Sequence, residues 1–345
     1  MFSATKILNT LLGALSDRQR EVLAGRFGLE KFSEPQTLAA LGAKYDVTRE
    51  RVRQIETAGL ATIREKISAD PVCQDIIARS KKFLKDSGGV ATREAFLANA
   101  QTFVSGLAPN HVSLLLEASR AFAEHPEDKN YRPFYYLDKD SLKLAANFIN
   151  QWSAALKSKK KDVLEGQGQY DEHYAAFLTK ANVSEAHAAN YLAISKRVGN
   201  NPYGDKGLTE WAEIHPRTVR DRIYLVLKKQ GKPLHFRTIA KSINEANFTA
   251  RTASAPTVHN ELIKDNRFVL VGRGTYGLAE HGYEPGTARE VIQRILKKNG
   301  ALKPKDVMLA VQKERFFKPN TILVNLQNKN FFKRLSDGTY KVRES

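Results

Sequence analysis

Residues 46–56 (DVTRERVRQIE) restrict most strongly the structures that this chain can adopt. Small or apolar residues recur at three- and four-residue spacing through this stretch and beyond it, at Val52, Ile55, Gly59 and Ile63. That spacing forms one apolar face on an α-helix. Thr48 stands just before the run, where its hydroxyl can cap the first helical turn. The pattern therefore predicts a helix that begins after Thr48 and buries one side.

The opposite face of this predicted helix is polar in its first turns. At about 100° per residue, Arg49, Glu50, Arg53 and Gln54 fall away from the apolar face. Arginine pairs with guanine edges, glutamine with adenine, and glutamate accepts a hydrogen bond from cytosine. A helix of this kind suits the major groove of DNA.

Two further helices are predicted upstream. Residues 37–45 (TLAALGAKY) form a short amphipathic helix, and Gly42 to Val47 leads through a tight turn into the next helix. Residues 15–29 begin at a candidate cap, Ser16, and end at Gly28. Taken alone, this pattern is more typical of an amphipathic helix pair whose charges are simply solvated.

A family resemblance favours the DNA-binding interpretation. LSDRQREVLAGRFGL followed by TLAALGAKYDVTRERVRQIE resembles region 4 of the housekeeping-type bacterial sigma factors over about fifty residues. The resemblance implies recognition of a promoter −35 element, with Arg49, Glu50 and Gln54 contacting bases. It also implies docking on the flap of the RNA polymerase β subunit. The residues expected to hold DNA phosphates are Arg18, Arg26, Thr37, Leu38, Arg51, Arg53 and Arg64.

The sequence departs from the sigma pattern in two ways. Residues 57–62 (TAGLAT) carry no basic side chain, which leaves fewer phosphate contacts after the QIE motif. Only about fourteen residues precede the resemblance, which leaves no room for the parts that bind the −10 element and the polymerase clamp. We therefore expect a promoter-type DNA-binding element and not a complete sigma factor that starts transcription.

Composition excludes several classes of protein. With 345 residues and 42% hydrophobic residues, the chain is long enough for two or more domains with real cores. Its one cysteine, Cys73, rules out a disulfide framework and a cysteine-based zinc finger. No apolar run approaches the ~20 residues of a membrane span, and the N-terminus lacks a secretory signal pattern. We expect a soluble, cytoplasmic protein that contacts no membrane.

The net charge of +18 is concentrated near the C-terminus. Residues 212–282 hold 12 basic and 6 acidic side chains, and residues 283–345 hold 14 and 6. A polyanion is the expected partner of such a surface, and the asymmetry places it at the C-terminal end.

The C-terminal half contains a degenerate repeat of about 65–70 residues. Residues 219–231 and 288–300 each predict an amphipathic helix that ends in two lysines, a polar residue and a glycine. Each is followed by the start of a second helix and, later, by two β-rich runs joined by a glycine-bearing turn. This is the order of a winged helix-turn-helix. Residues 216–281 also resemble the HARE-type winged helix, which occurs in the RNA polymerase delta subunit, in restriction systems and in eukaryotic chromatin proteins.

The recognition helices of these two repeats are predicted to begin near Pro256 and Pro319, because proline suits the first helical turn. Arg273 lies at a predicted wing tip, where it can reach a minor groove or a phosphate. The other side chains expected to face outwards towards DNA are Arg251, Thr257, His259, Asn260, Asn320, Thr321, Asn325 and Lys329. Winged helices also use these surfaces to bind protein, and both interpretations stay open here.

The predicted fold class is mainly α with small β-hairpin wings, arranged as tandem helix-turn-helix and winged-helix modules. Residues 1–70 form the region 4-like domain. The remaining modules are a winged helix at 71–139, a helical or winged-helix module at 140–211, the HARE-type winged helix at 212–282 and a second C-terminal winged helix at 283–345. Within the two middle modules, the pattern predicts a helix from Pro109 to His125 and a long helix over residues 141–166, and residues 193–211 are a candidate third wing.

Catalysis has little support in the sequence. The eight histidines form no HExxH pair or other metal-ligand spacing, and no GxxxxGK[ST] phosphate loop is present. We predict a non-enzymatic protein without cofactors that binds double-stranded DNA in a promoter −35-like manner, aided by the basic winged helices. Two alternatives remain: a modulator that binds RNA polymerase through protein contacts, and a non-catalytic DNA-sensing subunit of a defence or DNA-processing system. The sequence sets no oligomeric state.

Overall fold

A computed structural model describes residues 1–29, 34–166, 169–249, 251–315 and 317–343. The chain divides into two units, Met1–Gly199 and Asn200–Ser345. Both consist mainly of helices, with small two- and three-stranded sheets. The predicted fold class is therefore confirmed.

The first unit starts with the helix-turn-helix region. Its elements are β1 (Phe2–Ser3), α1 (Ala4–Gly13), α2 (Asp17–Phe27), α3 (Leu38–Tyr45) and α4 (Arg49–Ala69). The predicted caps are confirmed. Ser16 and Gln19 form a reciprocal capping box on α2, and Gly28 ends that helix with φ of 61°.

A second group of elements follows directly along the chain. It comprises α5 (Pro71–Asp86), β2 (Val90–Thr92), α6 (Arg93–Gln101), β3 (Val104–Ser105), α7 (Pro109–Ser119), β4 (Ala123–His125) and β5 (Phe134–Tyr136). Strand β5 lies between β2 and β4, and both neighbours pair with it in the antiparallel sense. Helix α7 was predicted to continue to His125. It ends at Ser119 because Arg120 adopts a left-handed conformation and residues 123–125 pair with β5 instead.

Helices complete the first unit. They are α8 (Lys139–Ser158), α9 (Lys160–Glu165), α10 (Gln169–Ala181) and α11 (Glu185–Ile194), and the short strand β6 (Val198–Asn200) follows them. A single helix was predicted over 141–166, but the backbone leaves helical geometry at Lys159. Phe148 and Tyr191 of these helices share one core with Val90 and Phe134 of the three-stranded sheet.

One continuous core joins the helix-turn-helix region to the elements that follow it. Ile63 and Ile67 of α4 belong to the same buried cluster as Phe96 of α6 and Leu114 of α7. Strand β1 also pairs in parallel with β3, where Phe2 lies opposite Val104. The helix-turn-helix region is therefore joined to the following elements through this shared core.

The second unit contains two copies of one arrangement. After β7 (Lys206–Leu208), the first copy comprises α12 (Val219–Gln230), β8 (Leu234–His235), α13 (Phe236–Glu245), α14 (Ala255–Lys264), β9 (Phe268–Gly272) and β10 (Thr275–Leu278). The second copy comprises α15 (Ala288–Asn299), α16 (Pro304–Glu314), α17 (Pro319–Leu326), β11 (Phe332–Arg334) and β12 (Tyr340–Val342). The predicted third wing in residues 193–211 corresponds to β6 and β7.

In the part of the chain that the structure describes, the same strand order recurs in both units. In the sheet β8–β10–β9, the second strand of the hairpin is central, as β5 is in the first unit. In the last copy, an isolated bridge from Leu302 to Tyr340 takes the place of the third strand. Each copy in the second unit has its own buried core. The order helix, strand, helix, helix, hairpin is that of a winged helix-turn-helix.

Within the described residues, none of the helices is both long enough and apolar enough to span a membrane.

Candidate nucleic-acid interface

The turn between α3 and α4 depends on a close backbone approach. A Cβ atom added to Gly42 would lie 2.8 Å from the carbonyl oxygen of Val47, so a larger residue there must push the turn apart. Asp46 ends α3 in the left-handed conformation, with φ of 53°. Two residues later, the Thr48 hydroxyl accepts a hydrogen bond from the backbone N–H of Arg51 at 3.1 Å. Helix α4 therefore starts where the sequence predicted.

Helix α4 presents the expected faces. Val52 is fully buried with Val22 and Leu41 in a small cluster that holds α2, α3 and α4 together. The side chains of Arg49, Glu50, Arg53 and Gln54 are exposed in the first two turns. The three residues predicted to contact bases, Arg49, Glu50 and Gln54, thus lie together on one solvent-facing surface.

Two side-chain pairs organise this surface. Glu50 and Arg53 form a bidentate ion pair, with 2.6 Å between Oε1 and Nη2. The hydrogen bond from Arg53 lowers the pKa of Glu50, which keeps this carboxylate ionised. Arg51 Nη1 donates to Gln54 Oε1 at 3.1 Å. Both pairs are exposed, so each contributes little to stability and its partners can be exchanged at small cost.

The other three arginines expected to hold phosphates also make contacts within the protein. Arg18 donates to the carbonyl oxygen of Tyr45 at 3.2 Å and lies 4.1 Å above the ring of the same tyrosine. Arg26 forms an ion pair with Glu56 of α4. Arg64 donates to the carbonyl oxygen of Ala118 at 2.7 Å, in the last turn of α7, where a cation is favourable. All three keep part of their surface accessible to solvent.

The start of α3 has the geometry expected of a helix N-terminus. The Thr37 hydroxyl caps the helix by accepting from the backbone N–H of Ala40 at 3.1 Å. Leu38 is half-buried against the cluster of Val22, Leu41 and Val52. Of the two residues, Thr37 is the more exposed.

The recognition helices of the two C-terminal copies begin at Ala255 and Pro319, as predicted. On and beside α14, Arg251, Thr257 and Asn260 are exposed, and so is Arg273 in the hairpin turn. His259 was expected to face outwards, but it is half-buried, with its ring centroid 4.7 Å from that of Phe236. Aromatic packing therefore takes up part of its surface.

The residues of and beside α17 that were predicted to contact DNA differ in their exposure to solvent. Asn320 and Thr321 are exposed in the first turn, and Lys329 is exposed beyond the end of the helix. Asn325 is half-buried, and its Nδ2 donates to the carbonyl oxygen of Thr321 at 2.8 Å.

Sequence reasoning missed two grooves beside the C-terminal hairpin. One groove of about 710 Å³ is lined by Gln327, Lys329, Lys333, Arg334, Arg343 and nearby apolar residues. The other, of about 860 Å³, is lined by Gln293, Lys297, Asn330, Lys341, Arg343 and nearby apolar residues. The excess of basic residues in 283–345 was visible in the sequence, but the grouping around one hairpin was not.

The side chains suited to metal binding are dispersed. Among the described residues, no three His, Cys, Asp or Glu side chains come together in a way that could hold a metal ion.

Comparison with known proteins assigns two segments of the chain to domain families. Residues 11–65 match the model of "Sigma-70, region 4". Residues 217–281 match that of HARE-HTH, a helix-turn-helix domain named for its occurrence in ASXL and restriction endonuclease proteins, among others. The first of these segments contains α2, α3 and most of α4, and the second contains α12 to β10.

Three similar curated proteins match a segment of 63–68 residues. The RNA polymerase sigma factor SigA4 of Synechococcus elongatus is 40% identical over 20% of this chain and 21% of its own length. The RNA polymerase sigma-C factor of Nostoc is 43% identical over 18% and 15%, respectively. The RNA polymerase sigma factor RpoD of Neisseria gonorrhoeae is 37% identical over 20% and 10%. The chain thus matches about a fifth or less of the length of these relatives. It combines a sigma-70 region 4 domain at residues 11–65 with a HARE-type helix-turn-helix domain at residues 217–281.

Proposed function

We propose that this protein is a non-enzymatic, transcription-associated protein that binds double-stranded DNA through the first turns of α4. The observation that carries the proposal is the joint exposure of Arg49, Glu50 and Gln54 on a helix whose other face is buried, in a segment that matches sigma-70 region 4. Arginine, glutamate and glutamine are side chains that distinguish base edges in the major groove. In this proposal the three residues select a sequence similar to a promoter −35 element.

Phosphate contacts position α4 in the groove. Arg51 and Arg53 are exposed beside the base-contacting residues, and the capped start of α3 offers backbone N–H groups at Thr37 and Leu38. Arg18, Arg26 and Arg64 contribute through the part of their surface that stays accessible while they hold neighbouring helices. The basic modules of the second unit add affinity, because linked binding modules raise the effective concentration of one another at the DNA.

The proposal is tested by measuring the affinity of the full chain for a −35-like duplex and for a scrambled duplex. Gln54→Ala is expected to reduce the preference between the two duplexes by about 1–3 kcal/mol and to leave scrambled-duplex binding nearly unchanged. Gln151→Ala, which makes the same change on an exposed position of α8, is the matched control. Equal affinity of the wild type for both duplexes, with no effect of Gln54→Ala, would contradict the proposal.

A second candidate function is modulation of RNA polymerase by direct contact, with the β flap as the docking site of the region 4 domain. The observation that favours it is that all three relatives described above are named as RNA polymerase sigma factors, and each matches 63–68 residues of this chain. The test is purification of the tagged protein from its native cells after nuclease digestion. Polymerase subunits that remain bound support this candidate, whereas their loss after digestion counts against it. Recovery of nuclease subunits instead would favour a role in a defence or DNA-processing system.

A further inference from the structure

The C-terminal hairpin carries an unusual pair of like charges. Strands β11 and β12 pair so that Lys333 lies directly opposite Lys341. Neighbouring positions on a strand point to opposite faces of the sheet. Phe332 and Val342, one position away on each strand, belong to the core, so the two lysines project from the outer face. Like charges directly opposite each other on a strand pair are destabilising.

Further cations lie on both sides of this ridge. Lys329, Arg334 and Arg343 line the groove on the α17 side, and Lys297 and Arg343 line the groove on the α15 side with Lys341. Within the described residues, neither groove is lined by a carboxylate. Asp337, the acidic residue in the turn of this hairpin, accepts hydrogen bonds from the backbone N–H and the hydroxyl of Thr339.

The corresponding hairpin in the first copy has a different character. Tyr276 and Val271 are buried there, and its exposed turn carries one cation, Arg273. The carbonyl oxygen of Leu270 on its strand β9 accepts a hydrogen bond from the buried side chain of Arg315. The two hairpins share one topology. Among the residues that the structure describes, however, the basic side chains cluster around the second hairpin.

We propose that the outer face of the β11–β12 hairpin is a binding surface for the phosphate backbone of duplex DNA, with Lys333 and Lys341 at its centre and Lys297, Lys329 and Arg334 at its sides. The inference rests on the proposed DNA-binding function and adds a site that is separate from the outward face of α17. Bound phosphates neutralise the two facing lysines and so relieve their repulsion. Cations on both sides of one ridge match the two phosphate strands of a duplex, whereas a single strand would occupy one groove. Contacts of this kind bind DNA without regard to sequence.

The test uses the full chain with both lysines replaced, Lys333→Gln and Lys341→Gln. The control carries Lys305→Gln and Lys313→Gln, two exposed lysines of α16 in the same module, which lose the same charge. Affinity for the −35-like and the scrambled duplex is measured as a function of salt concentration. Loss of two phosphate contacts is expected to make the slope of log affinity against log salt shallower by about 1.8 for both duplexes. Between 50 and 200 mM salt, the wild type then loses roughly tenfold more affinity than the hairpin variant.

Thermal unfolding of the free proteins separates this effect from misfolding. The hairpin variant is expected to unfold at the same or a higher temperature than the wild type, because it removes a repulsive pair. A salt slope equal to that of the α16 control would overturn the proposal, as would a changed slope for single-stranded DNA with no change for the duplex. The proposed function fails separately, since it depends on sequence preference and Gln54, whereas this surface alters the affinity for both duplexes alike.

Discussion

Arg26 of helix α2 and Glu56 of helix α4 form an ion pair, with 2.9 Å between Nε and Oε1. Arg26 also donates from Nη1 to the carbonyl oxygen of Gln36 at 3.0 Å, just before α3. One guanidinium group therefore connects α2, α4 and the segment that leads into α3. Glu56 is the more buried partner, with 15% of its side chain exposed.

Removal of this ion pair should loosen the helix-turn-helix. We expect Glu56→Ala to lower the free energy of unfolding by about 1–2 kcal/mol, because Arg26 loses a charged hydrogen-bond partner in a half-buried place. Chemical denaturation of the full chain measures the change. Glu65→Ala, at an exposed position of the same helix, should change stability by less than about 0.5 kcal/mol. Purely additive effects of Glu56→Ala and Arg26→Met in a double-mutant cycle would show that the pair is not coupled.

The tight turn before α4 should tolerate no side chain larger than that of glycine at position 42. Gly42→Ala places a Cβ atom 2.8 Å from the Val47 carbonyl oxygen, so the backbone must shift. We expect a loss of about 1–3 kcal/mol of stability, measured by denaturant unfolding. Gly13→Ala is the matched control, because nothing lies within 4 Å of its added Cβ and α1 gains a better helix former. Equal effects of the two substitutions would refute the steric explanation.

Cys73 should be unreactive in the folded protein. Burial, followed by the hydrogen bond to Asp70, raises the pKa of this thiol from 9.0 to about 12. At pH 8 the thiol is protonated and shielded, so reaction with an aromatic disulfide reagent should be slow until guanidinium unfolds the chain. The chain has a single cysteine, so the released chromophore reports on this residue alone. Fast stoichiometric reaction of the native protein would contradict the prediction.

The same thiol should make stability depend on pH in the alkaline range. The folded-state pKa of the thiol lies above its ordinary value, so the thiol ionises at a lower pH in the unfolded chain than in the folded one. The contribution of Cys73 is complete below pH 9 and is lost as pH rises from 9 towards 12. Cys73→Ala should therefore flatten the decline of unfolding free energy in that range. An identical decline in both proteins would show that other groups cause it.

Arg315 should hold the two C-terminal copies together. Its side chain is fully buried and donates hydrogen bonds to the carbonyl oxygens of Leu270 and Glu284, which precede the second copy. Arg315→Met leaves both carbonyls without this donor, at a cost of about 1–3 kcal/mol for each group that stays buried. We expect faster hydrogen exchange in residues 268–284 than in the control Lys313→Met, which alters an exposed side chain. Unchanged exchange would rule out this role.

Local patterns accounted for the elements that carry the candidate interface. The cap at Thr48 and the alternation of buried Val52 with exposed Arg49, Glu50 and Gln54 follow from helix geometry and side-chain polarity, which involve residues a few positions apart. The prolines at the starts of α14 and α17 were equally informative. Where the prediction extended α7 to His125, the competing interaction was strand pairing with β5, which a helical pattern does not reveal.

The sequence by itself determined the starts of α4, α14 and α17, the outward face of α4 and the excess of positive charge near the C-terminus, because each depends on composition or short-range spacing. Tertiary structure alone decided which cations contact residues that are distant in the sequence. Arg64 donates a hydrogen bond to the carbonyl oxygen of Ala118, 54 residues away. Arg26 donates one to the carboxylate of Glu56, 30 residues away. It also decided that Lys333 faces Lys341, since strand register depends on which residues of the hairpin reach the core. Local spacing does not fix which distant residues these side chains contact, and long-range packing decides it.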